Sequence, residues 1–167
     1  RGEDKKWLIP MDRYLPAVLD DAQQAVRILR SQAQLYKLDP SKIGIVGYSS
    51  GGLLALRLAF EEEGSVPVGS VSWKPNFVGS IYGTLPQPFS VKKDICPPVF
   101  IINAFDDTRT PSSTCLNLYA ELLKEGVPAE MHLYSKGGHG FDIDESKGVS
   151  LLQWPHSFIA WLKDLKM

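Results

Sequence analysis

With 167 residues, 44% of them hydrophobic and 22% charged, the chain is sized and composed for one globular domain that buries about 70% of its unfolded surface. A formal net charge of −1 gives no footing for a nucleic-acid or anionic-membrane partner, and no uncharged run is long enough to cross a bilayer. Two cysteines, Cys96 in a strand approach and Cys115 at a helix start, predict buried thiols and imply no disulfide; the compartment stays open, cytoplasmic or secreted.

Arg1 to Pro10 reads as a charged surface connection. From Leu15 to Tyr36 the apolar residues Val18, Leu19, Ala22, Ala25, Val26, Leu29 and Ala33 recur at helical spacing, which predicts a helix covering one face of a sheet. Its acidic start, Asp20-Asp21, and its later Arg27 and Arg30 suit the helix dipole. Ile43 to Val46 then reads as a strand feeding Gly47-Tyr48-Ser49-Ser50-Gly51-Gly52, and Gly51 to Glu63 as a helix leaving it, with Glu61-Glu62-Glu63 a solvated end and Gly64 the stop.

A serine hydroxyl is a poor nucleophile until a turn lifts it into the open beside a base, and a tight strand-to-helix turn does this. The backbone around Ser49 is crowded in such an elbow, so the positions two before and two after must lack side chains, which Gly47 and Gly51 provide. The helix N-terminus adds N–H groups, and that of Ser50 can face a developing oxyanion.

Asn76 to Tyr82 reads as the next strand and Pro86 to Pro98 as a proline-rich loop suited to substrate contacts or a short cap. Pro97 to Ala104 reads as a buried strand that opens into Phe105-Asp106-Asp107-Thr108-Arg109-Thr110-Pro111, placing two carboxylates past the carboxyl end of a strand, where catalytic groups collect in parallel sheets. Either carboxylate can orient a base; Asp107 is favoured, with Asp106 left to hold the turn. Pro111 to Glu125 is a predicted helix closed by Gly126, and Ala129 to Tyr134 a predicted strand. Of three histidines, His132 lies inside that strand and His156 in the last amphipathic segment, both structural positions, whereas His139 sits between glycines on the loop Ser135 to Phe141. Gln153 to Leu165 is the final helix, with Trp154, Phe158, Trp161 and Leu162 forming a core-facing stripe, while Trp73 and Tyr82 fit either core or pocket. Alternating strands and helices predict an α/β fold, a doubly wound and mostly parallel sheet.

The runs Leu38 to Gly52, Asp106 to Pro111 and Gly137-Gly138-His139-Gly140-Phe141, with Arg27 to Arg30, resemble the α/β-hydrolase superfamily and, within it, the bacterial acetyl esterase and acetylxylan esterase-like branch. The resemblance spans about Tyr14 to Leu165. It implies Ser49 as nucleophile, His139 as base and, four residues before the proline of a D-x-x-[VT]-P turn, Asp107 as acid. Members of that family also carry an upstream glycine loop that completes the oxyanion hole, and no such loop occurs here. The resemblance therefore implies a single domain over 1–167 that is the C-terminal portion of an N-terminally truncated hydrolase, with early strands missing and the N-terminal half as a possible partner.

The implied activity is hydrolysis of short-chain carboxylic esters, acetyl groups on sugars or polysaccharide above all, through a Ser-His-Asp triad and an acyl-enzyme. Three scattered histidines and no Cys-x-x-Cys pair offer no zinc site, and the reaction needs no cofactor. Two other readings share the motifs: a prolyl oligopeptidase-like serine peptidase, and a non-catalytic binding remnant of the hydrolase fold.

Overall fold

The computed structural model describes residues 11–65, 67–86 and 88–167. The elements are α1 (Met11–Ser31), α2 (Ala33–Tyr36), β1 (Ile45–Tyr48), α3 (Ser50–Phe60), β2 (Val78–Ile81), β3 (Val99–Ala104), α4 (Ser112–Glu125), β4 (Ala129–Tyr134) and α5 (Trp154–Asp164), with 3₁₀ turns at Glu145–Lys147 and Val149–Gln153 before the last helix. The predicted connection Arg1 to Pro10 lies outside the described residues. No helix among the described residues is long and apolar enough to cross a membrane.

The four strands pair in parallel in the order β1-β2-β3-β4, with Gly47 opposite Ser80, Ser80 opposite Ile101, and Ile102 opposite His132. Side chains alternate across the sheet. Val78, Val99 and Ile101 pack with Ala55, Leu56 and Ala59 of α3 and Cys115, Leu118 and Leu122 of α4. On the other face Ile81, Phe100, Ile102 and Ala104 pack with Phe141, Leu151 and the Trp154 and Trp161 of α5. Every residue of β3 is buried, as a central parallel strand between two helical layers must be. This is the doubly wound parallel sheet that the alternation predicts.

Several boundaries differ from the sequence reading. Helix α1 begins at Met11, a turn before Leu15, and carries Pro16 inside it. It also stops at Ser31 and resumes at Ala33 instead of running unbroken to Tyr36. Strand β1 starts at Ile45, not Ile43, since the Ile43 carbonyl accepts from the Asn76 N–H while the Asn76 side chain accepts from the Ile43 N–H, a closure ahead of the ladder.

Helix α3 ends at Phe60, before the acidic run, because the Lys74 ammonium donates to the carbonyls of Leu58, Ala59 and Glu61 at its C-terminus. Glu63 is not a solvated end: its carboxylate accepts from the Trp73 N–H at 2.7 Å and from the Ser72 hydroxyl. Trp73, whose N–H makes that bond, is buried. Of the predicted 86–98 loop, the described segment 88–98 packs down on α3, with Phe89 stacked on Phe60 and Val91 and Cys96 in the core. Both cysteines are free and buried, and burial pushes the Cys96 thiol up to about 12.

Candidate active site

Three strand ends are carried past their ladders by backbone bonds to a neighbour. The Ser49 N–H donates to the Ile81 carbonyl, that of Tyr82 to Ile102, and that of Phe105 to Tyr134, at 2.7–2.9 Å. The serine turn, Tyr82, the acidic turn and the histidine loop therefore share the carboxyl edge of one sheet.

Ser49 stands at the N-cap of α3 with φ 51° and ψ −117°. A serine there ordinarily turns its hydroxyl inward to cap the helix. This one makes no cap bond, and its Oγ lies 2.8 Å from His139 Nε2. Holding a non-glycine residue in that conformation costs about 1–3 kcal/mol, so the surrounding structure fixes it. Gly47 is part of the fixing, since a Cβ there would sit 2.0 Å from the Gly51 carbonyl oxygen. The second required glycine is Gly52, not Gly51: a Cβ on Gly52 would meet Ser80 Oγ at 2.8 Å and Gly83 Cα at 2.9 Å, whereas one on Gly51 would meet nothing within 4 Å. Helical rotation aims the Gly51 Cα outward, toward an apolar hollow of about 360 Å³ lined by Tyr14, Leu15, Val18, Ser50, Leu53 and Leu54. Ser50 is the first residue of α3, where a helix does not use its own N–H groups.

His139 Nδ1 lies 2.9 Å from Asp107 Oδ2, and the Asp107 side chain is fully buried. Its other oxygen accepts from the N–H groups of Arg109 and Thr110, each at 2.9 Å, while the Thr110 hydroxyl reaches Oδ2 at 2.6 Å. Burial pushes this carboxyl up, and the bonds from Thr110, His139 and Arg109 together outweigh burial and hold it below the ordinary carboxylate range. Asp107 is thus an anion facing the imidazole edge.

Asp106 reaches beyond its own turn. Its carboxylate accepts from the Gly138 N–H at 2.8 Å, joining the acidic turn to the histidine loop, and that bond leads the causes that lower its pKa. The loop is tied elsewhere by Lys147 donating to the Gly140 carbonyl at 2.6 Å and by the Trp154 indole N–H donating to the Asp142 carbonyl at 3.0 Å. Gly138 sits at φ 62°, a left-handed conformation that a glycine takes without strain.

Sequence reasoning left out Thr110, and it left Tyr82 between core and pocket. Tyr82 presents its ring edge-on to His139 at 5.2 Å and to Phe141 at 4.7 Å, from a backbone held at φ 40°. Burial and then the charge of Asp142 push its hydroxyl up, so it stays neutral. The other two histidines stand apart from this cluster: His132 pairs with Glu130 on β4 at 2.7 Å, and His156 is exposed on α5.

The profile of the dienelactone hydrolase family matches residues 7–156. An acetylxylan esterase of Xylanibacter ruminicola is 27% identical over 154 residues, covering 78% of this chain and 32% of that protein. Among solved structures, MGS-M1, an alpha/beta hydrolase from a deep-sea metagenome library, is 29% identical with a TM-score of 0.73, covering 87% of this chain and 63% of that one. The acetyl ester-xyloside bifunctional hydrolase of Caldicellulosiruptor lactoaceticus, at 24% identity, shares the fold with a TM-score of 0.77 over 90% of this chain and 66% of its own. The chain spans about a third of the length of the acetylxylan esterase it matches.

Proposed function

The chain belongs to the dienelactone hydrolase family of the α/β-hydrolase superfamily, and on that premise we propose that it is a serine esterase, or the catalytic portion of one, acting on short-chain carboxylic esters such as acetyl groups on sugars. The observation that carries this reading is the continuous line Ser49 Oγ, His139 Nε2, His139 Nδ1, Asp107 Oδ2, with separations of 2.8 and 2.9 Å across the two bonds. The acetyl-sugar substrate draws on the relative named acetylxylan esterase.

In this reading His139 accepts the Ser49 proton at Nε2 as Oγ bonds to the ester carbonyl carbon. Asp107 keeps the second ring proton on Nδ1 and stabilises the imidazolium. The carbonyl oxygen becomes an oxyanion, for which the Ser50 N–H is one donor. Collapse of the tetrahedral intermediate breaks the bond to the alcohol, which leaves with the proton from Nε2. Water then enters, gives a proton to His139 Nε2 and adds to the acyl carbon; collapse breaks the bond to Ser49 Oγ, which takes that proton back, and releases the carboxylic acid.

Incubating the chain with a fluorophosphonate and mapping the adduct tests the assignment. The reagent is expected on Ser49 and on no residue of the Ser49→Ala variant. An adduct on another serine, unchanged in Ser49→Ala, would overturn it, and an unreactive wild-type chain would favour a binding remnant of the fold.

A further inference from the structure

Thr110 lies between the acid and the base. Its Oγ1 is 2.6 Å from Asp107 Oδ2, 3.0 Å from the Tyr82 carbonyl oxygen and 3.2 Å from His139 Nδ1. Three partners converge on a group with one proton and two lone pairs. The carboxylate and the carbonyl only accept, so they compete for that proton, and the shorter contact is to the carboxylate. The His139 Nδ1–H, already bonded to Asp107 Oδ2 at 2.9 Å, can share itself with the hydroxyl lone pairs. The backbone N–H of Thr110 bonds Asp107 Oδ1 as well, so this one residue grips both carboxylate oxygens.

Resting on the reading of Ser49, His139 and Asp107 as a triad, we propose that Thr110 is a positioning residue whose hydroxyl holds the carboxylate against the imidazole and shares the Nδ1 proton. The ring is thereby kept in the orientation that brings Nε2 to Ser49. The Tyr82 carbonyl, on a backbone that leaves the strand at φ 40°, is the competing acceptor for the hydroxyl proton.

The test compares Thr110→Val, which removes only the hydroxyl, with Thr110→Ser, which keeps it. On a short nitrophenyl ester, Thr110→Val is expected to lower kcat about 10-fold with KM unchanged. The proton resonance of His139 Nδ1–H should move downfield in Thr110→Val, because the whole bond then falls on a carboxylate that has lost a donor. Thr110→Ser should restore both values. A Thr110→Val chain with wild-type kcat and an unmoved resonance would overturn the proposal. So would equal impairment of the two variants, which would assign the effect to the γ-methyl group. The resonance is read without turnover, so it tests Thr110 even where fluorophosphonate leaves Ser49 unlabelled, a result that would overturn the triad reading instead.

Discussion

The Asp106 carboxylate accepts the Gly138 N–H at 2.8 Å, so the turn that carries Asp107 and the loop that carries His139 are fastened to each other one residue away from the proposed acid–base contact. The tether acts on geometry, and geometry within fractions of an ångström sets the rate of a positioned reaction. Asp106→Ala should lower kcat on a short ester about 10-fold with little change in KM, as expected when a contact affects only the chemical step. Asp106→Asn keeps an acceptor oxygen and should lie close to wild type. Equal activity in both variants would show that the loop is placed by Lys147 and Trp154 alone.

Asp107→Asn should be far more severe, with a loss of roughly 10²- to 10⁴-fold in turnover, because an amide at Oδ2 favours the wrong imidazole tautomer. The same residue links stability to pH. Its folded pKa is lowered, so its stabilising contribution is complete above the unfolded value of about 3.9 and is lost as pH falls through the folded value. Denaturant midpoints of wild type and Asp107→Asn should therefore differ most near neutrality and converge in acid. A gap that widens on acidification would mean that Asp107 is not held as an anion.

Much of this was legible in the sequence, and the reasons are physical. Ser49 and His139 lie in short motifs whose glycines answer local backbone demands, and β4 and α4 have clean limits because turn residues bound them. What escaped depends on tertiary partners. Nothing near Phe60 says that Lys74 will end α3 there, and nothing near Asp106 says that its acceptor role is spent on Gly138, 32 residues away. Thr110 was visible only as a letter in a motif, because its importance lies in what Tyr82 and His139 bring to it.

The two adjacent glycines after Ser50 should respond in opposite ways. At Gly51 a methyl group meets nothing within 4 Å, and alanine is favoured over glycine in a helix by up to about 1 kcal/mol, so Gly51→Ala should raise the melting temperature by a few degrees. At Gly52 a methyl group would press on Ser80 Oγ at 2.8 Å, Gly83 Cα at 2.9 Å and the Gly47 carbonyl oxygen at 3.0 Å. Two of these are backbone atoms and cannot swing away. Gly52→Ala should melt lower and react more slowly with fluorophosphonate, since the displaced helix start carries Ser49. Destabilisation by Gly51→Ala of the same size would place a packing partner against the first turn of α3.

Substrate length is the remaining discriminator. The 88–98 segment could have arched over the serine as a lid, yet it folds down on α3, with Phe89 on Phe60 and Val91 and Cys96 in the core. Beside His139 stands the ring of Tyr82, itself packed on Phe141. A long acyl chain would gain little burial there, at about 0.8 kcal/mol for each methylene it could have hidden. Across nitrophenyl esters from acetate to palmitate, kcat/KM should therefore be greatest for acetate and fall with length. A maximum at palmitate would mean that the apolar hollow beside Ser50 and Gly51 accepts the acyl chain, and cleavage of a prolyl peptide with none of acetate would move the assignment to a peptidase.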